Sequence, residues 1–380
     1  MYLALYRKYR PKTFNEVVGQ DHIVKTLENQ IKMDKISHAY LFTGSRGTGK
    51  TSSAKIFARA INCLNPKNGS PCGECEVCKA LSENNMDVLE IDAASNNGVD
   101  EIRELREKVK YPPVVGKYKV YIIDEVHMLS SSAFNALLKT LEEPPKYVVF
   151  ILATTEVHKL PATILSRCLR FDFRLVSLED LTALLRKVLT NENIKFDEQS
   201  INIIARAGEG SVRDTLSIAD RCVSFAGNEL TSEKVISVLG VSKRETLIKI
   251  VGHILEKNIG ETLVELDSVL GTGISPLVFA SDMISYFRDL LLINALGENA
   301  RNVVVVKDDI FLQMQSQAKH ENYGVIVNAI EKLSGVEQEL RYSVQPRIVL
   351  ETTLIKTIST SNLIERVEKL EEIVKNKFPS

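Results

Sequence analysis

A glycine-rich stretch near the amino terminus has the residue types and spacing of a phosphate-binding loop. Residues 44–51 read G-S-R-G-T-G-K-T, which fits the pattern G-x-x-x-x-G-K-[ST]. The glycines let the backbone curl so that successive N–H groups point inward, toward a bound phosphate. We expect Lys50 to reach the β- and γ-phosphates of a nucleoside triphosphate and the Thr51 hydroxyl to bind Mg²⁺. The sequence therefore predicts nucleotide binding by Gly44, Ser45, Arg46, Gly47, Thr48, Gly49, Lys50 and Thr51.

Two adjacent acids follow an apolar run farther along the chain. Asp124 and Glu125 come directly after residues 120–123, which read V-Y-I-I. An acid at the carboxyl end of a parallel strand lies in the crevice where α/β sheets bind ligands. We expect Asp124 to hold Mg²⁺ and Glu125 to orient and deprotonate the attacking water. Alone, the pair fits a solvated strand end equally well, but together with the glycine-rich loop it predicts hydrolysis of a nucleoside triphosphate.

Two threonines follow the next apolar run. Residues 148–152 read V-V-F-I-L, and the segment A-T-T after them ends in Thr154 and Thr155. A polar side chain at that strand end can bridge between the acids and the γ-phosphate, and we expect Thr155 to do so, with Thr154 as the alternative. A threonine pair by itself is ordinary, since threonine favours strands.

Two arginines have the chemistry to stabilise the charge that develops during phosphoryl transfer. Arg167 follows a short predicted helix at 161–165, and Arg213 lies in the segment G-S-V-R-D. Ser211 and Asp214 fit a capping box, which predicts Arg213 in the first turn of a helix, able to reach a nucleotide bound nearby. A surface ion pair is the alternative explanation for either arginine.

Four of the six cysteines fall within one short stretch, with the spacing C-x8-C-x2-C-x2-C. Four thiolates around one ion suit tetrahedral Zn²⁺, and a filled coordination shell is typical of a structural site. A redox C-x-x-C motif is the alternative, but a third cysteine three residues on argues against it. We therefore predict a structural zinc site formed by Cys63, Cys72, Cys75 and Cys78.

These candidate residues lie in a part of the chain where short apolar runs alternate with helical patterns. The runs are apolar on both faces, as is typical of buried parallel strands, and cover residues 39–42, 88–91, 120–123 and 148–152. A further strand is predicted at 169–173, and helical periodicity predicts helices at 50–61, 99–109 and 131–141. Alternating strands and helices predict an α/β fold with right-handed crossovers.

After about residue 175 the strand patterns stop and helical patterns take over. Short helices are predicted at 178–189, 200–207, 211–224 and 231–239, and longer ones at 274–296 and 323–341. The longer helices are apolar over much of their circumference, so they must be buried in a bundle or against a partner subunit. At the end of the chain, coiled-coil spacing runs for less than three heptads, which favours a frayed end, at Leu363, Val367, Leu370 and Val374.

Length and composition narrow the class of protein. A chain of 380 residues predicts two or three domains. Lys and Arg number 48 against 49 Asp and Glu, which excludes a strongly basic arm that binds nucleic acid by bulk charge. There is no Trp and only 6% aromatic residues, which argues against stacking platforms for single strands. Without an apolar run of membrane-spanning length or a signal-peptide core, the sequence predicts a soluble, cytoplasmic protein.

Several of these segments closely resemble the ATP-binding gamma/tau subunits of bacterial DNA polymerase III clamp loaders, which are AAA+ ATPases. The matching segments are the glycine-rich loop, the strand end with its acids, L-L-K-T-L-E-E-P-P and L-S-R-C, at residues 44–51, 122–127, 137–145 and 165–168. The opening segment is similar too, with Y-R-P at 9–11 and V-G-Q at 18–20. The resemblance extends from residue 6 to about residue 360, and S-R-C is specific to clamp loaders among AAA+ proteins.

The resemblance implies roles that spacing cannot assign. Beside the adenine of ATP we expect Tyr6, Arg10 and Val18. Arg167 is expected to be a finger that reaches the ATP of a neighbouring subunit, and Arg213 a sensor that touches the γ-phosphate in cis. The segment 95–113 is expected to face the sliding clamp and primer-template DNA, with phosphate contacts from Arg103, Arg106, Lys108 and Lys110. As plain chemistry, the mixed charges at 101–110 are more typical of a solvated helix face.

The predicted fold is an α/β AAA+ core with a parallel sheet and a zinc insert, followed by a small helical lid domain and an all-α collar domain. The core is expected at 1–175, with the zinc module at 63–78. The lid is expected at 176–241, the collar at 242–360 and a charged helical tail at 361–380.

The resemblance also implies the activity, cofactors and partners. The expected protein is an ATP-hydrolysing clamp-loader subunit that uses ATP, Mg²⁺ and a structural Zn²⁺ and has no polymerase active site. Its expected partners are the other subunits of a five-membered ring, the sliding clamp, primer-template DNA and, through a region beyond this chain, the polymerase III core; no membrane is expected. Another AAA+ DNA-remodelling motor and a nucleotide-stabilised scaffold of the replisome are the alternatives. A natural short form and a piece of a longer form both fit the sequence.

Overall fold

The computed structural model describes residues 3–83, 87–240, 244–304, 306, 308–319 and 323–359. The chain divides into two compact units, Met1–Val235 and Ile236–Ser380. The first unit contains the glycine-rich loop, the acids, the cysteine cluster and both arginines of interest. The three-domain division drawn from the sequence stays a prediction.

Five parallel strands form the central sheet of the first unit, in the spatial order β2-β3-β4-β1-β5. The strands are β1 (Ala39–Thr43), β2 (Val88–Asp92), β3 (Lys119–Asp124), β4 (Val148–Thr154) and β5 (Leu169–Asp172). All five predicted strands are confirmed, with bounds that differ by no more than two residues.

Helices and 3-10 turns surround this sheet. The helices are α1 (Leu5–Lys8), α2 (Asp21–Lys32), α3 (Lys50–Ala60), α4 (Glu76–Glu83), α5 (Val99–Val109), α6 (Ser131–Glu142) and α7 (Ala162–Leu165). The 3-10 turns are Phe14–Glu16, Val126–Met128 and Val157–Lys159. The helices predicted at 50–61, 99–109 and 131–141 are confirmed as α3, α5 and α6, whereas α4 was not predicted because cysteines at metal-ligand spacing masked its short helical pattern.

Alternate residues of β1, β3 and β4 are buried in cores on opposite faces of the sheet. On one face, Tyr40 and Phe42 of β1 pack with Phe57 of α3. On the other face, Leu41 of β1 packs in the cluster that contains Ile102 of α5 and apolar residues of α6. A sheet covered on both faces explains why its strands read as continuous apolar runs.

The carboxyl ends of the strands meet at one edge of the sheet and carry the polar residues of interest. Thr43, the last residue of β1, pairs in register with Thr154 of β4. Asp92, the last residue of β2, pairs with Asp124 of β3. Because β1 runs directly into the glycine-rich loop, the loop lies beside these strand ends.

Beyond residue 175 the first unit is mostly helical, with one departure from the prediction. Its helices are α8 (Leu178–Asn191), α9 (Glu198–Ala207) and α10 (Val212–Ala226), and α11 (Ser232–Leu239) begins in this unit and continues past its last residue, Val235. The expectation that strands stop here is wrong, because β6 (Lys195–Phe196) and β7 (Glu229–Leu230) form a small parallel pair. Two residues are too few to produce a strand pattern in the sequence.

The second unit contains α12 (Arg244–Leu255), α13 (Ile259–Gly271), α14 (Pro276–Leu296), a 3-10 turn (Gly297–Asn302), α15 (Asp308–Lys319), α16 (Tyr323–Gly335), α17 (Glu337–Tyr342) and a helix over residues 346–359. The apolar α14 is buried as expected, and Met283, Tyr286, Phe287 and Leu290 are fully enclosed in the core of this unit.

Two predicted helix bounds in this unit need correction. The helix expected at 274–296 begins at Pro276, because Ser275 caps it and proline fits the first turn. The single helix expected at 323–341 is divided at Val336, directly after Gly335, a residue that lowers helix stability. The coiled-coil spacing at the chain end and the predicted tail at 361–380 lie outside the described residues. Among the helices that are described, none is long and apolar enough to cross a bilayer.

Candidate functional site

The glycine-rich loop forms a tight cradle between β1 and α3. Gly44, Gly47 and Gly49 have φ values of 135°, 76° and 103°, which side-chain-bearing residues rarely adopt. A Cβ on Gly44 would lie 2.3 Å from the carbonyl oxygen of Phe173, so only glycine fits there. Because α3 begins at Lys50, the free N–H groups of its first turn border the cradle, an arrangement that favours anions.

Lys50 is nearly buried in this cradle. Its Nζ donates hydrogen bonds to the carbonyl oxygens of Gly44 at 2.7 Å and of Ser45 at 2.8 Å. Burial lowers the pKa of Lys50 below its usual value, and the nearby carboxylates of Glu125 and Asp124 oppose that shift. The ammonium group is therefore held at the loop by backbone carbonyls, at a position from which it can meet a phosphate.

The two residues predicted to bind Mg²⁺ contact each other. Thr51 Oγ1 donates to Asp124 Oδ2 at 2.7 Å, although 73 positions separate them in the sequence. Asp124 Oδ1 accepts the backbone N–H of Glu125 at 3.0 Å, which fixes the carboxylate at the end of β3. A hydroxyl beside a carboxylate is an oxygen donor set of the kind that Mg²⁺ prefers, so these residues fit the ion.

The next pair of predicted residues is also brought together. Glu125 has a φ of 47°, a left-handed conformation that turns the chain back after β3. Thr155 Oγ1 donates to Glu125 Oε2 at 3.2 Å. Thr154 is fully buried and lies against His127, with 3.0 Å between Oγ1 and Nδ1. Thr155, rather than Thr154, therefore contacts the acid. His127, which follows β3 in the chain, reaches the end of β4 because the two strands are adjacent.

A cavity of about 1340 Å³ opens at this edge of the sheet. With the exception of Gly44, every residue predicted to bind nucleotide lines it: Tyr6, Arg10, Val18, Ser45, Arg46, Gly47, Thr48, Gly49, Lys50, Thr51 and Arg213. Asp124, Glu125 and Thr155 line it as well. Gly44 instead contributes its carbonyl oxygen to Lys50.

Several residues that line the cavity were not predicted. Asp92 could have been found by the rule applied to Asp124, because it too is an acid at the carboxyl end of a parallel strand. Leu184 of α8 and Leu216 of α10 contribute an apolar wall. Nothing in their spacing distinguishes them from ordinary core positions of an amphipathic helix.

The amino-terminal segment is held against α8 and α10. The Tyr9 hydroxyl and Lys8 Nζ both contact the carboxylate of Glu192, the lysine at 2.6 Å. Burial, together with this carboxylate, raises the pKa of Tyr9 to about 12. Arg10 Nε donates to Ser52 Oγ at 3.2 Å, which connects the segment to α3. These contacts fix one wall of the cavity.

Arg213 lies in the first turn of α10, as predicted. Ser211 caps the helix by accepting the N–H of Asp214 at 3.2 Å. The reciprocal half of the predicted capping box is not formed, because the N–H of Ser211 donates to the carbonyl oxygen of Gly208. The Arg213 backbone N–H reaches the carbonyl oxygen of Gly47 at 3.4 Å, and its guanidinium lies 5.4 Å from the centre of the Tyr6 ring. Arg213 is thus next to the cradle.

Arg167 lies outside the residues that line the cavity. It follows α7 and donates to Glu142 Oε1 and to the carbonyl oxygen of Thr163, each at 2.8 Å. Its side chain remains one-third exposed. The structure therefore does not bring Arg167 to the cavity of its own chain.

The basic residues of α5 are largely engaged by acids of the same region. Arg103 pairs with Asp100 at 2.9 Å, Lys108 with Glu104 at 3.6 Å and Lys110 with Glu107 at 2.6 Å. These are exposed pairs at helical spacing, which contribute little to stability. DNA contacts from this helix, including Arg106, stay a prediction.

The four clustered cysteines converge in space. The sulfur atoms of Cys63, Cys72, Cys75 and Cys78 all lie within 4.8 Å of one another. Tetrahedral zinc with bonds of about 2.3 Å holds its sulfurs about 3.8 Å apart, so the arrangement fits a Cys₄ ion site. Backbone N–H groups, first that of Glu74, lower the pKa of the Cys72 thiol to about 6, and burial raises the pKa of Cys78 to about 12.

Three family models match successive parts of the chain. The model "DNA polymerase III, delta subunit" matches residues 19–177. The model "DNA polymerase III clamp loader subunit, ATPase lid domain" matches residues 180–228. The model "DNA polymerase III subunits gamma and tau domain III" matches residues 230–373. Together they cover the five-stranded core, the helices after it and the second unit.

A distant structural likeness accompanies these matches. The RuvB Holliday junction branch migration motor of Thermotoga maritima aligns with a TM-score of 0.48 at 18% identity, over 65% of this chain and 80% of RuvB. A likeness at that level supports no conclusion about function.

Curated relatives resemble the chain along most of its length. DNA polymerase III subunit tau of Bacillus subtilis is 44% identical over 98% of this chain and 68% of that protein. Subunit tau of Escherichia coli K12 is 36% identical over 94% of this chain and 55% of its own length. Subunit gamma of Buchnera aphidicola is 35% identical over 94% of this chain and 99% of its own. With a five-stranded parallel core, a region that matches the clamp-loader lid model and a helical carboxyl-terminal region, the chain belongs to the gamma/tau family of DNA polymerase III clamp-loader subunits.

Proposed function

We propose that this chain hydrolyses ATP and uses ATP binding and hydrolysis to load a sliding clamp onto primed DNA during replication. The observation that carries the proposal is the convergence of Lys50, Thr51, Asp124, Glu125 and Thr155 at one edge of the sheet. Membership of the clamp-loader family supplies the substrate class and the partners.

The glycine-rich cradle and Lys50 would bind the phosphates of ATP. The N–H groups of residues 44–51 and the first turn of α3 would surround the phosphates, and Lys50 would exchange its two carbonyl partners for β- and γ-phosphate oxygens. Thr51 and Asp124 would hold Mg²⁺, which neutralises charge on the phosphates when bound. Tyr6, Arg10 and Val18, on the wall formed by the amino-terminal segment, would border the adenine.

Hydrolysis needs a base and a means to orient it. Glu125 would accept a proton from a water molecule as the water oxygen forms its bond to the γ-phosphorus. The bond between that phosphorus and the bridging oxygen breaks, and its electron pair remains on ADP. Thr155, which donates to Glu125, would fix the carboxylate between the water and the phosphate.

Two arginines would complete the site from different chains. Arg213 is adjacent to the cradle and would touch the γ-phosphate in cis. Arg167 lies away from its own cavity and remains one-third exposed, which suits a finger presented to the ATP of a neighbouring subunit. Hydrolysis would then be slow until the subunits assemble around clamp and DNA.

The proposed assembly is a cytoplasmic five-membered ring of clamp-loader subunits that binds the clamp and primer-template DNA and connects to the polymerase III core. Within the chain we propose an ATPase core at 1–175, a lid at 176–241 and a collar at 242–360, a division to which the lid match at 180–228 lends support. The cysteine cluster would hold a structural Zn²⁺ that stiffens the loop at 63–78, which is too short to form a core of its own.

Transfer of a clamp onto primed circular DNA tests the proposal. With partner subunits and ATP present, the wild-type chain should support transfer, measured as clamp that co-elutes with DNA. Glu125→Gln should still bind ATP but lower hydrolysis by about 100-fold or more, the contribution of a general base. The exposed lid residue Glu179, changed to Gln, is the matched control and should behave as wild type. Wild-type hydrolysis by Glu125→Gln, or transfer that needs no ATP, would refute the proposal.

A further inference from the structure

His127 lies in the 3-10 turn Val126–Met128, two residues after the cavity-lining acid Glu125. Its side chain is only 6% exposed, and its Nδ1 lies 3.0 Å from Thr154 Oγ1. Nδ1 is also 3.4 Å from Glu125 Oε2, while Nε2 is 3.4 Å from Glu156 Oε1. The imidazole therefore stands between two carboxylates, one in the cavity wall and one outside the cavity lining.

The orientation of this ring is fixed by the end of β4. Thr154, its hydrogen-bond partner, is fully buried and pairs in register with Thr43 of β1. The Thr154 hydroxyl oxygen also accepts the backbone N–H of Glu156 at 3.0 Å, so it is held from two sides. A side chain locked by a strand of the central sheet has the rigidity that a support for a reacting group requires.

Glu125 is the cavity-lining acid that lies beside this ring. Its φ of 47° is a conformation that non-glycine residues adopt at a cost, and such strain clusters at functional sites. The same carboxylate oxygen, Oε2, is approached by the Thr155 hydroxyl at 3.2 Å and by His127 Nδ1 at 3.4 Å. Two groups from separate segments thus lie against the same carboxylate oxygen, the threonine as a hydrogen-bond donor.

The second carboxylate belongs to the segment that leads to Arg167. Glu156 is held by Lys159 at 2.8 Å, within the turn Val157–Lys159. That turn is followed by α7 and then by Arg167. His127 therefore contacts both Glu125 and the beginning of the segment that carries the exposed arginine.

We propose that His127 is a positioning residue of the hydrolytic site, which orients Glu125 through Nδ1 and connects it through Nε2 to the segment that bears Arg167. The proposal rests on the hydrolytic function proposed above. A merely structural histidine behind β4 would change stability when replaced but would leave turnover by the folded protein unchanged.

Three substitutions of one residue test the proposal. In the assembled clamp loader with clamp and primed DNA, His127→Ala should lower kcat by about 10- to 100-fold, the cost of a misplaced catalytic group, and leave KM for ATP within about twofold. His127→Asn, whose amide lies near the position of Nδ1, should recover most of the rate. His127→Gln, whose amide lies near the position of Nε2, should recover little. His22→Ala, an exposed histidine of α2, is the control.

The outcomes that overturn the proposal are distinct. A folded His127→Ala with kcat within about twofold of wild type would refute it, since a positioning residue acts on turnover. If the alanine variant does not fold, equal kcat values in the Asn and Gln variants would refute it instead. Glu125→Gln, measured alongside, separates the two levels. Wild-type turnover in that variant refutes the hydrolytic site proposed above, because Glu125 would not be its base, whereas an inactive Glu125→Gln beside a normal His127→Ala refutes only the positioning role.

Discussion

Lys50 shows how a single residue is prepared for a phosphate. Its ammonium group rests on two carbonyl oxygens at 2.7 and 2.8 Å, and burial lowers its pKa. These acceptors are neutral and do not cancel the charge of the ammonium group, so the site favours an anion that can replace them. The contacts of a lysine on this helix depend on its position, since Lys55, which lies farther along α3, pairs instead with the carboxylate of Glu90.

Replacement of Lys50 by Ala should therefore weaken ATP binding. We expect the Kd to rise about 10- to 100-fold, because a hydrogen bond to a charged group contributes about 1.5–3 kcal/mol. Titration with a fluorescent ATP analogue measures this directly. Lys55→Ala, which removes the same charge from the same helix, should bind ATP as wild type does, and equal affinities in the two variants would contradict the assigned role.

Candidate residues of the loop and the strand ends could be chosen from the sequence because their chemistry depends on a fixed local spacing, and these residues line one cavity, while their roles stay predictions. Thr51 and Asp124 could be paired in advance only through the rule that parallel strands end at one edge of a sheet. The contact between His127 and Thr154 was not predicted, because contacts between neighbouring strands depend on their register, which cannot be read from the sequence. Leu184 was missed because an apolar residue of a helix can face either the core or a cavity.

At the scale of elements, the cysteine loop is the segment most dependent on a ligand. Residues 63–78 contain a β-bridge between Lys67 and Ser70 and the start of α4, but little apolar surface of their own. Their four sulfurs lie within 4.8 Å of one another, close to the shell of a tetrahedral ion.

Purified protein should therefore contain about one zinc ion per chain, measured by mass spectrometry of the metal. Cys72→Ser should lose most of that zinc and unfold at a lower temperature, since metal binding and local folding are coupled. Cys168→Ser, which changes a cysteine outside the cluster, is the control and should retain its zinc. Full zinc occupancy in Cys72→Ser would contradict the site.

Elements were predictable where their patterns were long. Buried strands such as β3 and β4 were found because both faces are apolar over four or more residues. The pair β6 and β7 was missed because two residues make no pattern. The single helix expected at 323–341 is interrupted at Val336, directly after Gly335. The break was not predicted because a periodic apolar face can continue across an interruption of the helix.

In the whole molecule, one predicted component of the candidate site, Arg167, lies apart from the others. The cradle, the acids and Arg213 belong to the same compact unit, whereas Arg167 of that unit lies outside the cavity lining. The proposed mechanism therefore needs a second subunit to supply the arginine finger, so the rate of ATP hydrolysis should depend on assembly of the subunits. A motor or scaffold of another kind would not need that dependence on clamp and DNA.

Steady-state ATP hydrolysis, measured with and without partner subunits, clamp and primed DNA, tests whether a neighbouring subunit supplies the arginine finger. We expect clamp and DNA to stimulate hydrolysis by the wild type strongly, and we expect Arg167→Ala to lose that stimulation with the Kd for ATP unchanged. Arg186→Ala, an exposed arginine of α8 that pairs with Glu198, should be stimulated normally. A hydrolysis rate that does not change with clamp and DNA, or stimulation that remains in Arg167→Ala, would rule out the proposed arginine finger.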